Sequence, residues 1–300
     1  MFADTGNEHE WTYDFVRELP GKTGGPAIEW VKADFSKEIA RKRAFVAANW
    51  PGQGIPQEKV DRTVALMVPT GNPFLDLAIW KLRFPSTKAR FCTEELKIRP
   101  MWEGVQLPII EAGRALISWQ GVRADESLAR SLLPKWQKLM PPYGLKISKE
   151  VKAKWRSYAY RPLLTWTRDE VFAFHAKHGV DPNPLYAKGF SRVGCMPCIM
   201  SSKDEIRTIA ARFPEHIERI AEWEQLLASI AKNSLGTFMP FSSDPAFKAS
   251  PEKYRGRGGY TIHDRVEWSR TTQGGRQGSL LLDPMVEFST PCSQWGTCES

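Results

Sequence analysis

The sequence predicts an α/β protein that carries a helical, then irregular, cysteine-containing appendage at its carboxyl end. The opening stretch MFADTGNEHEWTYDFV combines a short apolar run, a polar turn and a helical pattern. Helical patterns and short apolar runs continue to alternate as far as about residue 120, whereas Gly, Pro, Ser and Arg dominate from about residue 233. We therefore expect an α/β domain over residues 1–200, followed by a helical segment and a basic tail over residues 201–300.

The first element is predicted to end in a ligand-binding turn. Residues 1–3 predict the end of a strand, and residues 11–16 carry the apolar face of the helix that follows. Between them lie Asp4, Thr5 and Gly6. Ligands of open α/β sheets lie just beyond the carboxyl ends of the strands, so these three residues are expected to line a pocket.

The stretch RALISWQGVRADESLAR contains the clearest predicted strand. Residues 115–119 form an apolar run that is expected to be buried, and Arg123 follows at its carboxyl end. A guanidinium there suits an anion, but Arg123 is equally suited to an ion pair with Asp125 or Glu126. Arg130 is a further candidate for the anion, although it stands one helical turn after Glu126 and has the spacing of an ion pair with it.

Two helices have clear start signals in the second half of the chain. Capping boxes occupy residues 167–170 and residues 202–205, each directly before apolar residues at helical spacing. Pro214 predicts a break or kink in the second helix. Residues 260–268 predict one short strand within the loosely patterned tail.

The charge balance favours an anionic ligand. Lys and Arg outnumber Asp and Glu by 42 to 34, which gives a net charge of +8 and attracts a nucleotide, a nucleic acid or sulfate. We find no signal peptide and no apolar run long enough to span a bilayer, so we expect a cytoplasmic protein without a membrane partner. In that reducing compartment the five cysteines are not expected to form structural disulfides.

A Cys-x-x-Cys pair marks a candidate metal or redox site. In RVGCMPC, Cys195 and Cys198 lie just before a predicted helix start, whose positive end favours thiolates. Spacing alone leaves open zinc, an iron-sulfur cluster, a redox dithiol or two small buried side chains. A metal or cluster needs two further ligands, and the chain offers Cys92, Cys292 and Cys298.

Four segments, taken in order, resemble the phosphoadenosine phosphosulfate reductase family of the adenine-nucleotide α-hydrolase-like superfamily. They are FADTGNEHEWTYDFV, FCTEELKIRP, GVRADESLAR and RPLLTWTRDEVFAFHAKHGVDPNPLYAKGFSRVGCMPC, and the resemblance covers residues 2 to about 225. It implies a Rossmann-like, mostly parallel sheet flanked by helices, with an adenine nucleotide or adenylylated sulfate bound at its carboxyl edge.

The same resemblance implies roles for individual residues. Asp4, Thr5 and Gly6 would line the nucleotide pocket, while Lys97 and Arg123 would hold sulfate or phosphate. A lysine point charge and an arginine fork are both suited to such an anion.

Iron-sulfur members of this family use a cysteine about five residues before the matching lysine as a cluster ligand. By resemblance, Cys92, Cys195 and Cys198 are three ligands of a four-iron four-sulfur cluster, with zinc as the alternative metal. No cysteine stands beside Cys92 to supply the fourth ligand, as one does in the family. We assign that position to Cys292, with Cys298 or a non-cysteine group as alternatives, and Cys92 itself has the alternative of a small buried side chain.

The sequence departs from the family at two places. A phosphate loop of the Ser-Gly-Gly-Lys-Asp-Ser type is expected some tens of residues before the Asp-Thr-Gly turn, where this chain has none. We interpret Met1 as an internal start or the start of a truncated gene, the alternative being a relative that has lost nucleotide binding. The reductases also carry a nucleophilic cysteine in a Glu-Cys-Gly-Ile/Leu-His context, which WGTCES matches in position only, so Cys298 is not predicted to be catalytic.

The leading functional prediction is a reductase-family enzyme of sulfur metabolism that acts on an adenine nucleotide or sulfonucleotide and uses a thioredoxin-like electron donor. An alternative within the family is an ATP pyrophosphatase or sulfurtransferase that acts on nucleic acid, as in DNA phosphorothioation. Its support is the basic tail, with Arg255, Arg257, Arg265, Arg270 and Arg276, for which a solvated basic face is the alternative interpretation. A third hypothesis is a catalytically inactive, zinc-stapled module that binds nucleic acid or a protein.

Overall fold

The structure is a computed structural model that describes residues 1–140, 147–239, 254 and 258–272. Five strands are described: β1 Phe2–Asp4, β2 Trp30–Lys32, β3 Leu116–Trp119, β4 Trp136–Lys138 and β5 Ser157–Tyr160. The helices before β3 are α1 Glu10–Thr23, α2 Ser36–Asn49, α3 Gln57–Leu66, α4 Pro73–Lys81 and α5, a continuous helical run over residues 91–111. Those after β3 are α6 Leu128–Ser131, α7 Lys149–Ala153, α8 Arg168–Lys177, α9 Lys203–Arg212, α10 Pro214–Ile230 and α11 Ile262–Arg270.

The helical run α5 is irregular. It consists of Phe91–Thr93, Glu94–Ile98, Arg99–Met101, Trp102–Gln106 and Leu107–Glu111, of which Glu94–Ile98 and Trp102–Gln106 are π-helical. Short 3₁₀ turns stand at Pro51–Gln53, Ala124–Glu126 and Tyr186–Lys188. The predicted mixture of helices and strands is confirmed.

The chain divides by packing into two compact units. The first contains residues 1–3, 17–31 and 98–182, and the second contains residues 4–16, 32–97 and 183–300. Each unit is therefore built from segments that alternate along the chain. The predicted domain boundary at residue 200 was based on sequence pattern and stays a prediction.

The first unit contains a three-stranded sheet in the order β3-β5-β4, where β3 and β5 are parallel and β4 is antiparallel to β5. Residues 115–119 were predicted to form a buried strand, and β3 confirms the strand. The predicted burial was wrong, because none of residues 115–119 is buried and Ile117 and Trp119 are 49% and 72% exposed. Side chains alternate along a strand, so these two residues point to the face opposite buried Ala159 of β5.

The second unit contains the larger hydrophobic core. Helices α2, α3, α4, α9, α10 and α11 pack together there, with fully or nearly fully buried side chains that include Ile39, Val46, Met67, Leu77, Ile79, Ile206, Ile209, Ile217, Ile220, Leu227 and Ile262. The helical spacing predicted for the segment after residue 201 is confirmed by this burial. None of the described helices is both long enough and apolar enough to cross a membrane.

Helix boundaries follow the predicted signals with one exception. Both capping boxes are formed, at the starts of α8 and α9, and Pro214 is the first residue of α10, so the predicted break is confirmed. The strand predicted over residues 260–268 was wrong, because α11 covers this segment. Thr261 caps α11 and pairs with Asp264 in a capping box, and Ile262 and Val266 are buried one helical turn apart.

Candidate functional site

The turn after β1 is held in one conformation by its own polar groups. Gly6 has φ +75° and donates its backbone N–H to Asp4 Oδ1 at 2.9 Å. Thr5 is fully buried and donates its hydroxyl to Glu8 Oε1 at 2.7 Å. A Cβ at Gly6 would lie 2.7 Å from Asn72 Oδ1 and 2.7 Å from Pro73 Cδ, so only glycine fits here without displacement.

A second loop, residues 193–201, carries the Cys-x-x-Cys pair and packs on this turn. Glu8 and Cys195 form an antiparallel bridge, and the Met196–Pro197 peptide bond is cis. The backbone N–H of Met196 donates to the carbonyl of Asn7 at 2.6 Å. The loop therefore brings Cys195 to the tip of β1, where the sequence places the nucleotide pocket.

Cys195 is surrounded by oxygen atoms of the β1 turn. Its Sγ lies 3.4 Å from Thr5 Oγ1 and donates to Glu8 Oε1 at 3.7 Å. Burial, and then the negative charge of Glu8, raises the pKa of the Cys195 thiol to about 12, while the positive charge of Lys97 acts in the opposite direction. The thiol is consequently protonated at neutral pH, and a metal bound to it must displace that proton.

Cys92 and Cys198 lie within electrostatic reach of each other. Burial raises the pKa of Cys92, and the Cys198 thiol adds to this effect, whereas Lys97 lowers it. Cys198 Sγ accepts the backbone N–H of Met200 at 3.4 Å. The structure thus brings together three of the predicted cysteines and Lys97, which comes from the first π-helical stretch of α5.

The donor set can be compared with a mononuclear and a polynuclear metal site. In tetrahedral zinc, Zn–S bonds of about 2.3 Å place sulfur atoms about 3.8 Å apart. Within the described residues, the one group of three potential ligands whose donor atoms lie within 4.8 Å of one another contains no cysteine. The Sγ atoms of Cys92, Cys195 and Cys198 therefore do not all lie within 4.8 Å of one another in this structure.

Cys292 and Cys298, the predicted fourth ligand and its alternative, lie outside the described residues. The ligand assignments for all five cysteines stay predictions.

The two predicted arginines lie in the first compact unit and have acidic partners. Arg123 Nε lies 3.0 Å from Asp125 Oδ1, and Arg123 Nη1 lies 3.7 Å from Glu126 Oε1. Arg130 forms an ion pair with Glu126. The alternative interpretation, ion pairing within the loop, is thus present in the structure, and anion binding by either arginine stays a prediction.

Among the described residues, His9, Glu10 and His216 place potential metal-ligand atoms within 4.8 Å of one another. This group was not predicted from the sequence. Glu10 Oε2 lies 3.6 Å from His216 Nε2, and the two imidazoles stack with centroids 5.0 Å apart. However, His9 Nδ1 accepts the backbone N–H of Trp11 at 3.0 Å, and His216 Nδ1 lies 2.8 Å from Arg219 Nη2, which can only donate. A neutral imidazole has a single acceptor nitrogen, so no lone pair remains for a metal.

Burial supports the same conclusion for the imidazoles. It is the main cause that lowers the pKa of both, to about 4 for His216, so neither is charged at neutral pH. We therefore assign the pair to packing. No local signal in the sequence joins His9 to His216, because His9 directly precedes α1 and His216 lies on α10.

The basic tail is described only in part. Arg255, Arg257 and Arg276 lie outside the described residues, whereas Arg265 and Arg270 lie on α11. Arg265 is only 6% exposed, and its guanidinium stacks 4.4 Å from the centroid of Trp268. Arg265 is thus part of the interior of its unit, which removes one member from the predicted nucleic-acid surface.

Comparison with known proteins adds a family match to this geometry. The family model of the phosphoadenosine phosphosulfate reductase domain matches residues 1–201. A 37.8 kDa protein from the gpa 5′ region of Escherichia phage 186 is 41% identical over 310 residues, which cover 100% of this chain and 88% of that protein.

Two adenosine 5′-phosphosulfate reductases are more distant relatives. The protein of Staphylococcus haemolyticus is 27% identical over 168 residues, which cover 56% of this chain and 57% of the reductase. That of Streptomyces coelicolor is 31% identical over 110 residues, which cover 36% of this chain and 37% of the reductase. The chain therefore matches little more than half of the first reductase and about a third of the second.

Proposed function

Because the chain belongs to the phosphoadenosine phosphosulfate reductase family, we propose that it is an enzyme that reduces an adenylylated sulfate and holds a four-iron four-sulfur cluster. The observation that carries the proposal is the meeting of Cys92, Cys195 and Cys198 beside the β1 turn and Lys97. Three separate parts of the chain meet here, namely the β1 turn, the start of α5 and residues 193–201. Packing alone would not require three thiols in one place.

Three cysteine thiols near one another support a cysteine-ligated metal centre, and the choice of a cluster over zinc rests on the family. Cys92, Cys195 and Cys198 would hold the cluster, with Cys292 as the fourth ligand and Cys298 as its alternative. When bound, an iron-sulfur cluster supplies a redox-active, charge-delocalising centre.

The chain's own residues would bind and orient the substrate. We assign the nucleotide to the turn of Asp4, Thr5 and Gly6, which the Gly6 conformation and its hydrogen bond to Asp4 hold rigid. Lys97 would supply a positive charge to the sulfate or phosphate beside the thiols. Arg123 and Arg130, which lie in the first unit, stay predicted anion ligands, and either would have to leave its acidic partner to bind one. Reduction of the adenylylated sulfate breaks the bond between its sulfur and the phosphate oxygen, consumes two electrons and releases sulfite and the adenosine monophosphate, or its 3′-phosphorylated form. As donor we propose a thioredoxin-like dithiol, which is oxidised to its disulfide.

The activity is tested anaerobically with purified protein. Adenosine 5′-phosphosulfate and its 3′-phosphorylated form are offered separately with reduced thioredoxin, and sulfite release is measured. We expect sulfite to be released from one of the two nucleotides, and the same nucleotide to bind in calorimetric titration. The Arg123→Ala variant should bind that nucleotide with a larger dissociation constant. Failure of both nucleotides to bind would refute the proposal, and an unchanged dissociation constant in Arg123→Ala would remove this residue from the pocket.

The cluster is tested separately through iron and acid-labile sulfide content. Cys195→Ser should lose the cluster and its brown absorption, while Met200→Ser, an exposed position in the same loop, should keep both. Full iron content in Cys195→Ser would contradict the ligand assignment. Comparison of Cys292→Ser with Cys298→Ser identifies the fourth ligand.

A further inference from the structure

The loop that carries Cys195 and Cys198 is fixed from behind by two polar side chains. We propose that Asn7 and Arg219 are positioning residues that hold this loop against the tip of β1, and we call them the Asn7–Arg219 clamp. The cluster-binding role of the loop rests on the proposed function, whereas the clamp rests on the contacts described below.

Each polar group of Asn7 forms a hydrogen bond. It is fully buried, and its backbone N–H donates to Thr5 Oγ1 at 3.4 Å. Its carbonyl accepts the N–H of Met196 at 2.6 Å, and its Nδ2 donates to the carbonyl of Pro197 at 2.9 Å. Its Oδ1 accepts from Arg219 Nη2 at 2.9 Å. Asn7 thus joins the β1 turn to both residues that lie between the two cysteines.

Arg219 connects the same loop to the helical core. Its Nη2 donates to the carbonyl of Met196 at 3.0 Å as well as to Asn7, and it lies 2.8 Å from His216 Nδ1. Arg219 and His216 both lie on α10, a helix of the large hydrophobic core. The neutral His216 is thereby an acceptor that orients the guanidinium, and hydrogen bonds from a charged donor are stronger than neutral ones.

The clamp matters because the loop has little regular structure of its own. Residues 193–201 contain no helix and no strand apart from the bridge at Cys195. Side chains that orient metal ligands from behind typically change metal affinity by about 10–100-fold when they are removed. Cys92 provides an internal comparison, since it lies on helix α5 and not on this loop.

The clamp can be tested on the reduced, metal-free chain through thiol accessibility. Iodoacetamide alkylation of Cys195, Cys198 and Cys92 is followed by mass spectrometry in the wild type and in Arg219→Met. We expect alkylation of Cys195 and Cys198 to accelerate by about tenfold or more, with Cys92 changed by less than about twofold. Arg207→Met, which removes a surface arginine paired within its own helix, should match the wild type.

Conservative variants separate positioning from folding. Arg219→Lys retains the charge and one donor group, so it should restore part of the protection. Asn7→Asp keeps the acceptor for Arg219 but places an oxygen against the Pro197 carbonyl, so it should open the loop without removing a buried side chain. In cluster-loaded protein, Arg219→Met should lose iron to a chelator about 10–100-fold faster than Arg207→Met.

Each outcome decides the question. Unchanged alkylation of Cys195 and Cys198 in Arg219→Met, or equal acceleration at all three cysteines, overturns the clamp. Selective exposure of the loop cysteines supports it, even if the wild type binds no iron. If the loop cysteines are selectively exposed but the wild type binds no iron, the clamp is supported and the proposed cluster is refuted.

Discussion

Glu224 makes the stability of the second unit depend on pH. This residue of α10 is 4% exposed, its Oε1 accepts the backbone N–H of Phe238 at 2.7 Å, and its Oε2 accepts that of Ile262 at 2.8 Å. Ile262 is the first residue of α11, so one carboxylate joins two helices and a connecting segment. Burial is the main cause that raises the pKa of Glu224, from 4.5 to about 8, against the opposing effect of the two N–H donors.

The sign of the effect follows from proton linkage. The folded-state pKa of Glu224 lies above the unfolded value, so between about pH 4.5 and about pH 8 the folded state binds more protons than the unfolded state. The free energy of unfolding therefore falls as the pH rises through this window and changes no further above it. One proton sets a limiting slope of about 1.4 kcal/mol per pH unit.

Glu224→Gln removes the ionisation and one of the two acceptors. Its amide NH₂ faces a buried backbone N–H, which costs about 1–3 kcal/mol for the unsatisfied donor. We expect the variant to be less stable than the wild type by this amount at about pH 5. By about pH 8 the difference should shrink and then reverse, because the wild type loses about 3–4 kcal/mol across these three pH units as Glu224 ionises and the variant does not.

The measurement is urea unfolding followed by tryptophan fluorescence on the metal-free chain at four pH values across the window. At each pH, the free energy of unfolding of the variant is subtracted from that of the wild type, which removes the contributions of other titrating groups. Glu222→Gln removes an exposed carboxylate of the same helix and is the control. The difference in unfolding free energy between the wild type and this variant should show no comparable change with pH. A difference between wild type and Glu224→Gln that is independent of pH would refute the assigned pKa.

Two further predictions concern the β1 turn and the core. Gly6→Ala should destabilise the chain by about 1–3 kcal/mol from backbone strain alone and by more because of the contact with Asn72. Gly71→Ala has a similar φ and open space, so equal losses in urea unfolding would show that the contact is unimportant. Leu227→Ala should cost about 2–5 kcal/mol at a fully buried position, against at most about 0.5 kcal/mol for Leu128→Ala, which is 79% exposed; similar losses at both positions would contradict the described core.

Local features were predictable from the sequence because their physical causes are local. The capping boxes that begin α8 and α9 depend on two residues three apart, and the break before α10 depends on Pro214 alone. The failure at α11 has a local cause too. Thr261 and Asp264 form a capping box with Asp in place of Glu, and the surrounding glycines and aromatic residues concealed it.

The candidate site was predictable only in part. The Cys-x-x-Cys spacing and the resemblance indicated which thiols to examine, but Asn7 and Pro197 are 190 residues apart and no spacing rule joins them. Arg219 likewise looks like an ordinary helical arginine in the sequence. The same limit explains the wrong burial of Ile117 and Trp119, since apolar content predicts a strand but does not determine which face is covered.

The first π-helical stretch of α5 determines which way Lys97 points. In a regular α-helix, two residues five apart point about 140° away from each other, so Cys92 and Lys97 would occupy different sides. The i→i+5 hydrogen bonds of Glu94–Ile98 accommodate one extra residue per turn and bring such a pair onto a common side. Deletion of one residue between Cys92 and Lys97 would restore regular winding and rotate the ammonium group away from the thiols, while the helix itself remained intact.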